Sequence, residues 1–258
     1  MNDVFSIYVA RSSGLHQLHP LTKLLLTLSI PLIGLALPGA WPSYLLLVFV
    51  VIPLAVWGQV WPQLIRTSWQ LVVPFAVSVF LIQGFFWGRG TILFALGPLA
   101  LKKEGILFAL SSVGHILIVV GSFLLLSLTT RPDMLMLALT QIGLPSSIAY
   151  LVAATIQIVP RFQTKATTIV EAQRARGLET EGNLLRRAQA LLPVVMPLVL
   201  GSLVDVEERA IAIESRAFSA KRPKTSLIEM PDSPRQTVAR WVLATVTLIS
   251  IVVGVLWR

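Results

Sequence analysis

Of 258 residues, 55% are hydrophobic and only 13% charged, against roughly a quarter charged in a soluble domain, and the mean hydropathy is +0.79. With no cysteine in the chain, disulfides, thiolate catalysis and cysteine-based metal sites are excluded. The formal charge of +9 would suit nucleic acid, but basic residues also gather on the cytoplasmic side of membrane proteins. Only the membrane reading accounts for charge and hydropathy together; no nucleic-acid partner is expected.

The opening segment 1–20 lacks the apolar core of a secretory signal, so the first apolar run is expected to remain in the mature protein. Apolar runs then cover Leu21–Leu37, interrupted by Pro31, and Tyr44–Trp57, which follows a turn at Pro38–Pro42. Three more cover Trp69–Trp87, Gly105–Leu128 and Trp241–Trp257. A helix that crosses a bilayer needs about 20 mostly apolar residues. The runs therefore predict an all-α membrane protein with about five transmembrane helices, the first two short enough to tilt or insert in part. Trp57, Trp61, Trp69 and Trp87 sit at run ends, where aromatic belts form.

Between Thr129 and Arg240 the character changes, and 13 of the 21 Lys and Arg residues lie from Arg161 to Arg240. Two apolar patches, Ile142–Val159 and Ala188–Leu203, could be further spans. Full crossings would, however, place Arg161–Arg187 and Arg209–Arg240 on opposite sides, against the positive-inside rule. Long cytoplasmic-side amphipathic helices over Ser146–Gly177 and Leu184–Phe218 are expected instead, with Pro160, Pro193 and Pro197 predicting kinks or breaks. In the second, Leu203, Val206, Ala210, Ile213 and Ala217 recur along one face, and Asp205 with Arg209 forms an i,i+4 pair on another. Gly177 suits the residue that ends the first. The run from Lys221 to Arg235, with Pro223, Pro231 and Pro234, reads as a cytosolic loop. The organisation is 1–128, N-terminal transmembrane helices; 129–236, the long-helix region; and 237–258, a C-terminal transmembrane helix. With the N terminus inside, five crossings place the C terminus outside, and Arg89, Lys102 and Lys103 in an external loop.

No Gly-Lys pair occurs, so there is no P-loop. The interiors of the five spans carry no Asp, Glu, Lys or Arg, with Lys23 at the edge of the first, which speaks against an ion-coupled carrier. His115 is the one ionisable group inside a span, and an interhelical hydrogen bond is its expected role. His16 and His19 lack the companions of a metal site, and nothing resembles a nucleophile elbow or a zinc-protease helix. No cofactor and no enzymatic activity are expected.

The charged ends of the two long helices are the most specific feature. The first closes Glu171-Ala172-Gln173-Arg174-Ala175-Arg176-Gly177, and the second closes Glu214-Ser215-Arg216-Ala217-Phe218. Cations near helix C-termini can simply complement the helix dipole. As a pair they resemble the two Ala-Arg-Gly-type signatures of the transmembrane T component (EcfT/CbiQ-like family) of energy-coupling factor (ECF) ABC-type transporters. Leu15–Leu24 is similar to that family's N-terminal Leu-x-x-x-Pro-x-x-Lys-Leu pattern. Gly182–Arg187, with Leu191-Leu192-Pro193 and Pro197, is similar to its link between the signature helices. The second signature departs from the pattern, with Ser215 in place of Ala and Ala217 where Gly is frequent.

The resemblance implies a non-enzymatic coupling subunit of the cell membrane, multi-pass, seated between two cytosolic ABC-type ATPase subunits and a membrane-embedded, substrate-binding S component. It implies that Arg176 and Arg216 insert into grooves on the two ATPases, that Ala175, Gly177 and Ala217 complete the signatures, and that Arg174, Glu171 and Glu214 tune the contact. The cargo would be a vitamin or a transition-metal ion such as cobalt or nickel. The alternatives are a self-contained secondary transporter or channel, which calls for an intramembrane polar pathway and repeats, and a membrane-embedded enzyme, which calls for clustered acids or histidines.

Overall fold

The computed structural model describes residues 9, 11, 13–86, 91–96, 99–178, 184–220 and 232–257. Arg89, the Gly182-Asn183 start of the link and the Lys221–Pro231 stretch lie outside the described residues.

The elements in order are α1 (Gly14–Gln17), α2 (Pro20–Ala36), α3 (Trp41–Leu46), a π-helical turn (Leu47–Val51), α4 (Ile52–Trp57) and α5 (Trp61–Phe86). They continue with β1 (Ile92–Leu96), β2 (Leu99–Lys102), α6 (Lys103–Thr129), α7 (Pro132–Gln141), α8 (Ser146–Ala175), α9 (Leu184–Glu214) and α10 (Pro234–Leu256). The chain is an all-α membrane protein. Its one sheet among the described residues is the antiparallel pair β1–β2, in the stretch expected to be only a loop.

Among the described residues, three helices are long and apolar enough to cross a membrane: α5, α6 and α10. Two shorter apolar helices, Pro20–Ala36 and Trp41–Trp57, measure about 25 Å, a little less than the hydrocarbon layer. The second is continuous because its middle turn widens. The Ile52 N–H bonds the Leu47 carbonyl five residues back, next to Pro53, which has no N–H and whose ring crowds the carbonyl of the preceding turn. Long helices do not stop where apolar runs do. α5 starts at Trp61, eight residues before its apolar run, and α10 starts at Pro234, inside the expected loop. The start of α10 follows from Ser233-Pro234, an N-cap residue and a proline at the first helical position.

The chain divides into two compact units, one holding residues 6–149 and 230–258 and the other centred on 150–229. In the first, the core gathers Leu15, Ile30, Val51, Ile118, Leu124 and Leu128. α6 is its hub, antiparallel to α2: Thr27 donates to the Ser122 carbonyl at 3.4 Å and Lys23 to that of Thr129 at 2.9 Å. Small residues allow these approaches, as expected where lipid supplies no hydrophobic drive between helices. A Cβ on Gly114 would sit 2.8 Å from the Tyr44 ring, and one on Gly254 would sit 2.1 Å from the Ala36 carbonyl oxygen. α10 lies parallel to α2, because Gln236 meets His19 at one end and Gly254 meets Ala36 at the other.

The second unit is a pair of helices. Tyr150 and Phe218 pack as a tilted pair with ring centroids 5.2 Å apart, Lys165 pairs with Asp205 at 2.6 Å, and Gln173 donates to the Pro193 carbonyl at 3.2 Å. As residue numbers rise along α8, the partners fall along α9, so the helices run antiparallel. Both stay helical through Pro160, Pro193 and Pro197, so of the expected kinks or breaks, breaks do not occur. Asp205 binds Lys165 across the pair instead of Arg209 one turn along its own helix.

Candidate functional site

α8 and α9 end in the same way. At the end of α8 the Leu178 N–H reaches back to the Gln173 carbonyl at 3.0 Å and the Gly177 N–H to that of Arg174 at 3.0 Å. At the end of α9 the Phe218 N–H reaches the Ile213 carbonyl at 3.3 Å and the Ala217 N–H that of Glu214 at 2.8 Å. This is the six-to-one and five-to-two bonding of a Schellman motif, which needs a left-handed residue at its turn. Gly177 has φ +90° and Ala217 φ +56°. Arg176 and Arg216 each stand immediately before that residue, at the C-cap. Ala217 is thus a non-glycine residue held where glycine is favoured, at the position where the second signature departs from the pattern.

Both arginines are exposed, and among the described residues neither has an ion-pair partner. Each arginine is therefore an exposed cation at a helix end where the motif satisfies two of the terminal carbonyls. Glu171, Arg174 and Ala175 are exposed on the last turns of α8, and the Ser219 hydroxyl donates to Glu214 after α9. Because the helices are antiparallel, the two arginines lie at opposite ends. Tyr150 sits beside Phe218, and about 26 helical residues, roughly 40 Å, separate Tyr150 from Arg176. On α9, Leu203 and Val206 of the expected apolar stripe are more than 60% exposed, while Ile213 is half-buried.

The N-terminal pattern has its own chemistry. Lys23 is buried, and its ammonium donates to the carbonyls of His16 (3.1 Å) and Thr129 (2.9 Å). Thr129 is the last residue of α6, so a buried cation caps the negative end of the hub helix. His16 Nε2–H donates to the Val9 carbonyl, and its Nδ1 accepts from the Ser13 hydroxyl. Burial holds the His16 imidazole below its ordinary pKa; the Val9 hydrogen bond opposes this, and Lys23 and Arg11 reinforce it. His19 caps α2, its Nδ1 accepting from the Leu21 N–H. His115 differs from expectation, since its buried Nε2 has no hydrogen-bond partner among the described residues.

An apolar helical core joined in sequence to a pair of long helices with matched, arginine-bearing ends defines a class of protein: a polytopic membrane component of a transport system. The family described as CbiQ, cobalt transport protein, matches residues 11–227, and the chain belongs to that family. It is 26% identical to the energy-coupling factor transporter transmembrane protein EcfT of Clostridium kluyveri, over 97% of this chain and 96% of that one. It is 29% identical to the EcfT of Brevibacillus brevis over the same shares, and 26% identical to that of Limosilactobacillus fermentum over 96% and 95%.

Proposed function

We propose that the chain is the T component of an energy-coupling factor importer. In this reading it transmits the motion of two cytosolic ATPases to a membrane-embedded S component, which carries a vitamin or a transition-metal ion. The observation that supports this most is the repetition of one motif, with Arg176 and Arg216 at the same position on two helix ends roughly 40 Å apart. One docking solution used twice suits two like partners. Arginine suits the contact because its rigid fork pairs with several acceptors in a desolvated groove, where lysine offers a single point charge. Relatives named as transmembrane proteins of energy-coupling factor transporters support the same reading.

The antiparallel pair acts as a lever with a handle at each end. When the ATPases close on ATP, the handles move together and the apolar face of α9, with Leu203 and Val206, carries the displacement to the S component. Glu171, Arg174 and Glu214 set the charge around the handles, and Ala175, Gly177 and Ala217 keep the backbone turn open. The chain performs no chemistry itself. It spans the cell membrane several times, and because α2 runs parallel to α10, both cross in the same direction, with residue 9 inside and residue 257 outside.

Extraction of the tagged chain in mild detergent tests this. Two ATPase polypeptides and a small membrane protein are expected to co-purify, and reconstituted uptake is expected to need all of them plus ATP. Uptake by the chain alone, driven by an ion gradient, would contradict it.

A further inference from the structure

Lys165 of α8 and Asp205 of α9 form the one ion pair that joins two helices among the described residues, with Nζ 2.6 Å from Oδ2. Arg176 follows Lys165 by eleven residues, and Arg216 follows Asp205 by eleven. Eleven residues make about three helical turns, or about 16 Å. In an antiparallel pair the two arginines therefore stand at equal distances on either side of the bridge, each in phase with its own bridge residue.

The bridge also discriminates between registers. The lysine stem reaches Asp205 across Gly201, one turn earlier on α9, where a Cβ would sit 2.9 Å from both Cε and Nζ of Lys165. Arg209 stands one turn later on the same face. Along that face the charge runs none, negative, positive. Only the observed register sets an anion against the ammonium. A slip of one turn, about 5.4 Å, would put there either Gly201, which has no side chain to answer it, or Arg209, which repels it. Side chains 32% and 58% exposed make this a bond of little weight for overall stability. Its effect lies in the difference between right and wrong register, as where a repulsive alternative supplies specificity.

We propose that Lys165 and Asp205, with Arg209 as the guard against a slipped register, are positioning residues that set the spacing of Arg176 and Arg216. They act through the register of α8 on α9 and touch no partner themselves. A slip would carry Arg216 along α8 while Arg176 stayed in place, and two docking points cut for one spacing would no longer be met together. The proposal rests on the reading of those arginines as the docking points for two ATPases.

The test reads register and function separately. Because the chain has no cysteine, spin labels can be placed at Ala172→Cys and Ala212→Cys, both exposed and each seven residues beyond its bridge residue. Pulsed electron spin resonance of the full chain in lipid nanodiscs measures their separation. Lys165→Asp repels Asp205 and finds Arg209 one turn away, so the separation is expected to shorten by about 5 Å, close to one helical pitch, with helical content unchanged. In the transporter reconstituted with its ATPases, the unlabelled Lys165→Asp variant is expected to lose at least fivefold in uptake. Reversing all three charges, Lys165→Asp with Asp205→Lys and Arg209→Asp, is expected to restore the separation and most of the uptake. An unchanged separation in Lys165→Asp would overturn the proposal, as would a shortened separation with full uptake or a triple reversal that restores neither. Should the unaltered chain recruit no ATPases, the docking reading fails, a result that the separation measured on the chain alone keeps distinct from a failure of the register.

Discussion

Arg176 and Arg216 occupy the same position in two copies of one helix-ending motif, each followed by a residue with positive φ, Gly177 in one copy and Ala217 in the other. In each copy backbone N–H groups satisfy two of the terminal carbonyls.

The non-equivalence of the two turns is measurable. A left-handed conformation costs an L-residue about 1–2 kcal/mol relative to glycine, partly offset by glycine's greater freedom in the unfolded chain. Ala217→Gly is expected to stabilise the end of α9 by about 0.5–1 kcal/mol, and Gly177→Ala to weaken the end of α8 by a similar or larger amount. Amide exchange at Phe218 and Leu178 reads the change locally: slower in the first variant, faster in the second. The reverse order would contradict the shared motif.

Lys23 should matter for stability out of proportion to its place at the edge of an apolar run. Its ammonium serves two carbonyls in a site only 6% exposed. Lys23→Met keeps much of the stem but removes the donor to the buried Thr129 carbonyl, a loss of about 1–3 kcal/mol in a fully buried site. A lower melting temperature in mild detergent, with helical content retained below it, is the expected outcome.

The histidine next to it supplies a pH dependence with a definite sign. His16 is held below its ordinary value of 6.5, first by burial, so the native state binds fewer protons than the unfolded chain in that range. Stability is then complete above pH 6.5 and falls as the pH drops below it. The thermal midpoint should decline between about pH 6.5 and 5, and His16→Gln should flatten that decline. A midpoint that rises on acidification in the unaltered chain would contradict the burial.

Much of this was legible in the sequence. Ser146 and Leu184 were correct starts for the long helices because Pro145 and the turn residues before Leu184 interrupt the apolar pattern. Gly177 was legible as a helix end from its residue type. Other features depend on contacts between distant residues and leave no local mark. Asp205 pairs with Lys165, 40 residues away, and its spacing to Arg209 pointed to the wrong partner. Apolar runs marked the hydrocarbon layer instead of the helices, so α5 and α10 each begin several residues earlier than expected. For α10 the signal was there in Ser233-Pro234. The β1–β2 pair was hidden because Ile92–Leu96 reads as a continuous apolar stretch without the alternation of an exposed strand. The roles of Lys23 and His19 needed the packing of α2 against α6 and α10 to become visible.

In the proposed coupling role the two arginines act together. Losing one partner of a buried, hydrogen-bonded charge pair costs about 2–5 kcal/mol, roughly 30-fold or more in affinity. Two linked contacts reinforce each other, so either single change to alanine is expected to leave a weakened but isolable complex. The decisive measurement is ATPase co-purification and substrate uptake by the Arg176→Ala, Arg216→Ala double variant, at membrane levels matched to the unaltered chain and to an Arg186→Ala, Arg187→Ala control. The account predicts that the double variant inserts normally, releases both ATPases and takes up no substrate, while the control keeps most of both. Wild-type co-purification and uptake in the double variant would show that these arginines are solvated helix ends and would contradict the account.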